Sequence, residues 1–185
     1  MRKFLDRIYR WALWVAALCL VGIALLVGAQ LAGRIVDGTL KLLGREPYGI
    51  VILSLAEFSG FLLAAASFFA LAATLKAGAH IRVTMLLSAL GENVRRWVEV
   101  WVFAFTAATA IYVTWYLGRF AYLSWTFHDV SPGVIPAPLW IPQAAMTIGA
   151  AVLATALLDE LLIVLRGGRP TFRSSEDAFV FGKES

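Results

Sequence analysis

The side chains that could do chemistry are few. The chain has 185 residues but only two histidines and one cysteine. Axial ligation of haem needs histidines inside the apolar runs and facing one another. His80 and His128 fall instead in polar connections on opposite sides of those runs, which excludes a cytochrome. Neither has the cysteine or carboxylate neighbours of a zinc or iron site. Cys19 lies inside the first apolar run and reads as a small buried apolar side chain. There is no glycine-rich nucleotide motif, no nucleophile with a matching base and no ATPase signature. The residues therefore describe a chain that is not an enzyme and has no cofactor or metal site of its own.

What remains is a set of carboxylates within apolar sequence: Glu57, Glu99, and the adjacent Asp159 and Glu160. An ionisable group in a membrane span is costly and is a functional hypothesis by default. Glu57 admits two readings. As a coupling carboxylate it would make the chain a small homodimeric proton-coupled antiporter. As a structural group it would pair with Arg34 at the end of the first run or with Arg119 at the end of the third, their long stems reaching inward. The residues favour the structural pair. Ala56, Gly60 and Ala64 recur every fourth residue around it, a smooth face that another helix can approach closely. Asp159 and Glu160 are matched to basic residues such as Lys76 or Arg82.

These groups are positioned by four long apolar runs. The chain is 61% apolar and only 15% charged, with a mean hydropathy of +0.79, which is membrane rather than soluble composition. The runs cover residues 11–33, 50–75, 97–118 and 139–165. Each can cross about 30 Å of hydrocarbon as a helix, and without apolar/polar alternation only helices satisfy the backbone there. The expected fold is an all-α integral membrane protein: a four-helix domain over 1–166 and a polar tail over 167–185. Phe4, Leu5, Ile8 and Trp11 share one face and suggest an interfacial helix before the first span. Ile35, Leu42 and Leu43 fit a segment lying along the outer surface until Gly44 and Pro47 break it. The 119–138 connection, with Pro132, Gly133, Pro136 and Pro138, reads as an ordered turn region. Pro138 and Pro142 are assigned to the first turn of the fourth helix.

Basic residues set the orientation. The N-terminal segment, the 76–96 connection and the tail hold twelve Lys and Arg, against four in the other two connections. The positive-inside rule then places both termini in the cytoplasm. Although the net charge is +4, the basic residues flank apolar runs, so the partner they imply is membrane lipid and not nucleic acid. Tryptophans and tyrosines near the span ends form interfacial belts.

One segment is distinctive: Lys76-Ala-Gly-Ala-His80-Ile81-Arg82-Val83 at the exit of the second span. Together with Arg34, Glu57, the Pro138-Leu-Trp-Ile-Pro142-Gln opening of the fourth helix and Gly149, it resembles the small membrane (Q-type) subunit of tripartite ATP-independent periplasmic (TRAP) transporters. The resemblance spans roughly residues 5–166. Thr84 and Thr147 depart from it, standing where many relatives have an acidic residue and a proline. The resemblance implies a permease subunit of the bacterial inner membrane that does not transport alone. Its partners would be a large multi-span permease subunit and a periplasmic substrate-binding protein, for symport-type uptake of an organic acid. Sodium coupling, where present, would reside in the large subunit. Arg34, Glu57, Gly60, His80, Arg82 and Arg119 would then be architectural or subunit-interface residues.

Overall fold

The computed structural model describes residues 2–76 and 92–167, so His80, Arg82 and the 167–185 tail beyond Gly167 lie outside the described residues. The described residues form four helices: α1 (Arg2–Leu42), α2 (Leu55–Lys76), α3 (Glu92–Phe127) and α4 (Trp140–Leu165). All four are long and apolar enough to cross a membrane, and none of the described residues forms a strand beyond one isolated bridge, Val130 to Pro138.

The helices outrun the apolar stretches that announce them. With 41 residues, α1 is about 60 Å long at 1.5 Å per residue, whereas a bilayer with its headgroups is roughly 40–45 Å thick. No proline interrupts it, so the amphipathic N-terminal stretch is continuous with the first span. Residues 34–42 likewise extend the helix instead of lying along the surface. Gly44, at φ +67°, ends it: Gly44 N–H donates to Lys41 O and Arg45 N–H to Leu40 O, the paired bonds of a Schellman motif. The end of α3 repeats the device without glycine. His128 takes the left-handed conformation at φ +55°, while its N–H bonds Trp125 O and the Asp129 N–H bonds Ser124 O. Histidine is among the few non-glycine residues enriched there. Thus α3 continues to Phe127, and the ordered turn region contracts to 128–139. Pro138 precedes α4, whose first turn holds Pro142 alone.

The opposite correction applies to α2. Residues 50–54, apolar enough to extend the second span, are not helical, and the helix starts at Leu55.

The helices pack in the spatial order α1, α2, α4, α3. Ten of the fourteen buried apolar residues among the described residues are alanines, so the helices hold together by close backbone approach, as expected where lipid removes a hydrophobic drive between helices. Phe103, Ala107 and Ala110 of α3 meet Ala154, Leu157 and Val164 of α4. Tyr9, Ala72 and Ala156 join α1, α2 and α4. At the α2/α4 crossing, a Cβ on Gly149 would lie 2.7 Å from the backbone carbonyl carbon of Phe68.

Candidate functional site: the loop junction and the lysine cluster

Two polar constellations occupy opposite ends of the bundle. The first is built by the 43–54 and 128–139 connections. Leaving α1, the chain turns back along it, and its amides need acceptors. The Asp37 carboxylate accepts from the N–H groups of Tyr48 (2.9 Å), Gly49 (3.3 Å) and Ile50 (3.1 Å). Two helical turns deeper, buried Gln30 accepts from Ile52 N–H at 2.6 Å through Oε1. Gly33 makes the approach possible, because a Cβ there would lie 2.9 Å from Ile50 Cγ2 and 3.2 Å from Ile50 O.

Ser54, at φ +56°, turns this strand-like segment into α2. Its carbonyl accepts from the N–H groups of Glu57 and Phe58. Ser54 and Glu57 have the spacing of a capping box, but the serine hydroxyl is turned the other way and accepts from Ile135 N–H at 3.0 Å. That bond clips the 43–54 and 128–139 connections together. Within the second of them, Ser131 N–H donates to Ala137 O and Ala137 N–H to the Ser131 hydroxyl.

Glu57 lies at this junction, at the very start of the second span and not about 10 Å along it. It is in the first turn of α2, where the positive helix end favours a carboxylate by about 0.3–1 kcal/mol. Its carboxylate is pressed against Gly133: a Cβ on that glycine would overlap Oε2, which is buried and accepts no hydrogen bond among the described residues. Among the described residues it pairs with neither Arg34 nor Arg119, both of which are exposed. The later start of α2 is the physical reason, since it moves Glu57 to the helix end and turns it toward the third connection. Gly60 faces open space, with nothing within 4 Å of a Cβ built on it; Ala56 beside it is exposed as well.

The second constellation surrounds Lys76, the last residue of α2. Its Nζ lies 3.2 Å from Asp159 Oδ2 on α4 and 3.6 Å from Asp6 Oδ1 on α1. It also sits 4.4 Å from the centroid of the Tyr9 ring. The pairing of Lys76 with Asp159 expected from their charges is therefore present, and one ammonium ties three helices. Glu99 and Glu160 are also buried toward this end, each with interactions of its own.

Sequence reasoning missed Asp37, Ser54 and Gly133. The Ser54–Glu57 capping-box spacing marked the true start of α2, and Gln30, the one strongly polar residue of the first run, marked a buried contact. Nothing local announced Gly133. No group of three metal-ligating side chains comes together among the described residues.

Four membrane-capable helices, with polar groups spent on holding their ends together, define an integral membrane component. Residues 38–167, more than two thirds of the chain, match the family described as Tripartite ATP-independent periplasmic transporters, DctQ component. The chain belongs to that family: it is the small membrane component of a TRAP transporter, a transport protein and not an enzyme. No curated protein shows a significant match to it.

Proposed function

We propose that the chain is the static brace of a TRAP permease. It holds a large multi-span permease subunit in the bacterial inner membrane while that subunit moves a carboxylate-containing solute delivered by a periplasmic binding protein. The observation that carries this reading is the contrast between the chain's ends and its faces. Its polar groups bind its own loops and helix ends, as Asp37, Gln30, Ser54 and Lys76 do. The face of α2 at Ala56 and Gly60 is smooth and open, which suits a partner helix. Gly60, with the exposed Arg34, forms the proposed subunit contact, and Arg119, which lines the α3/α4 groove, lies outside it; His80 and Arg82 are assigned to the same architectural role. The excess of basic residues supports cytoplasmic termini, which puts the clipped 43–54 and 128–139 connections toward the binding protein. Sodium and solute sites belong to the large subunit, and no cofactor is needed here.

An antiporter would need Glu57 reachable from both sides of the membrane. Its place in the first turn of α2, against Gly133, weighs against that use. Reconstitution in liposomes tests the proposal. The chain alone should be silent, and uptake driven by a sodium gradient should require the large subunit and the binding protein together. Uptake by the purified chain alone would overturn the brace.

A further inference from the structure

A groove of about 660 Å³ runs between α3 and α4. Its floor is small: Gly118, Ala151 and Ala154 keep the two helices from filling it. Trp115 and Tyr122 stand as exposed walls, and Arg119 lies at its mouth. Trp97 and Trp125 bracket about 42 Å of α3, which matches the roughly 40–45 Å of a bilayer with its headgroups. On that scale Arg119, about 9 Å inside Trp125, falls at the hydrocarbon boundary. Ile111 falls about 12 Å deeper, near the midplane, and Leu158, about 27 Å along α4 from the Trp140 that packs on Trp125, falls about 6 Å beyond it. From Arg119, in the leaflet on the side of the 128–139 connection, the groove thus runs about 18 Å inward, little more than the half of the roughly 30 Å hydrocarbon that one acyl chain fills. A transmembrane helix would need a furrow across the whole hydrocarbon.

The charge at the mouth is equally informative. Arg119 makes no hydrogen bond or ion pair among the described residues, and no acidic side chain lines the groove. A guanidinium at the boundary, above an apolar slot about as long as one acyl chain, complements a phosphodiester with an acyl chain below it. We propose that this groove is a binding site for one phospholipid of that leaflet, its acyl chain lying over Ala151 and Ala154 and its phosphate held by Arg119.

The test is native mass spectrometry of the full chain in detergent, with 1-palmitoyl-2-oleoyl phosphatidylglycerol as the added probe. The wild-type chain should retain one lipid. Ala151→Phe, which fills the slot, should reduce the retained fraction at least fivefold. Arg119→Gln should reduce it at least threefold, while Arg119→Lys keeps it. Helicity by circular dichroism checks each variant; should Ala151→Phe lose helix, Thr155→Phe, at an exposed position of the same groove, replaces it. Equal retention by wild type, the filled-groove variant and Arg119→Gln would overturn the site. So would a disulfide between Ala151→Cys and the co-expressed large subunit, which would put protein in the groove.

Discussion

Placing a methyl group on Gly149 should separate α2 from α4. The new Cβ would lie 2.7 Å from the Phe68 carbonyl carbon, 2.8 Å from its Cβ and 2.9 Å from its carbonyl oxygen. Carbon atoms rest at about 3.5–4.0 Å, so the contact is short by about 1 Å. The obstacle is helix backbone, and α2 is already packed against α1 on another side, so rotamer changes cannot relieve it. The helices must move apart by about that amount. A gap of 0.5–1 Å forfeits a quarter to a half of each atom-pair well of about 0.1–0.2 kcal/mol. Over a few tens of pairs across the alanine-rich α2/α4 seam, the loss comes to about 2 kcal/mol, within the usual range for overpacking.

Gly60→Ala supplies the internal control. It makes the same chemical change one helix face away, where a Cβ meets nothing within 4 Å. Reversible unfolding of the isolated chain in mixed micelles, followed by circular dichroism, measures both. We expect Gly149→Ala to lower the folded-to-unfolded ratio by a factor of about 30, and Gly60→Ala to leave it within about 0.5 kcal/mol of wild type. In the assembled permease the order should change, with Gly60→Leu weakening co-purification of the large subunit. Equal stability of Gly149→Ala and wild type would refute the close α2/α4 crossing.

Three further outcomes follow from the polar constellations. Asp37→Ala should speed hydrogen exchange at the amides of Tyr48, Gly49 and Ile50 about tenfold, while Ile52, bonded to Gln30, keeps its protection. Lys76→Met leaves the largely buried Asp159 without its cation and should cost about 2 kcal/mol in the same unfolding assay. The double change with Asp159→Leu should recover most of it, because removing one member of a pair harms more than removing both. His128→Gly should preserve or slightly raise stability and His128→Val should lower it by about 1 kcal/mol, since the left-handed turn ending α3 penalises a branched side chain; thermal unfolding in detergent reads both.

The number of spans was legible because hydropathy measures the bilayer, but the lengths of the helices were not. Apolar sequence stops where hydrocarbon stops, near Arg34 and Arg119, whereas a helix stops where its backbone bonds are closed off. For α1 and α3 those closures are at Gly44 and His128, nine or more residues further on. The same distinction misplaced the start of α2. Ile50, Val51 and Ile52 are apolar enough to join the span, yet Asp37 and Gln30 offer their segment other hydrogen-bond partners. The Lys76–Asp159 pair was legible because opposite charges at the same end of two spans have few alternatives. The surroundings of Glu57 were not, because its neighbour is a glycine whose contribution is the absence of a side chain.

Glu57 shows why an ionisable residue in an apolar run need not mark a transport path. Moved to the first turn of its helix, the carboxylate meets a positive helix end and the apposed loop, and its energetic problem is local. Lys76 is similar at the opposite end, where two carboxylates and an aromatic ring absorb its charge. Each group joins elements that lipid alone would leave weakly associated, Glu57 and Ser54 between the 43–54 and 128–139 connections and Lys76 among three helices. Between them, the helical middle relies on alanine and glycine contacts, which resist compression but carry no charge. Ends fixed by polar bonds and a middle fixed by close backbone approach make a body with few internal degrees of freedom. Such a body suits the bracing role that we propose for it.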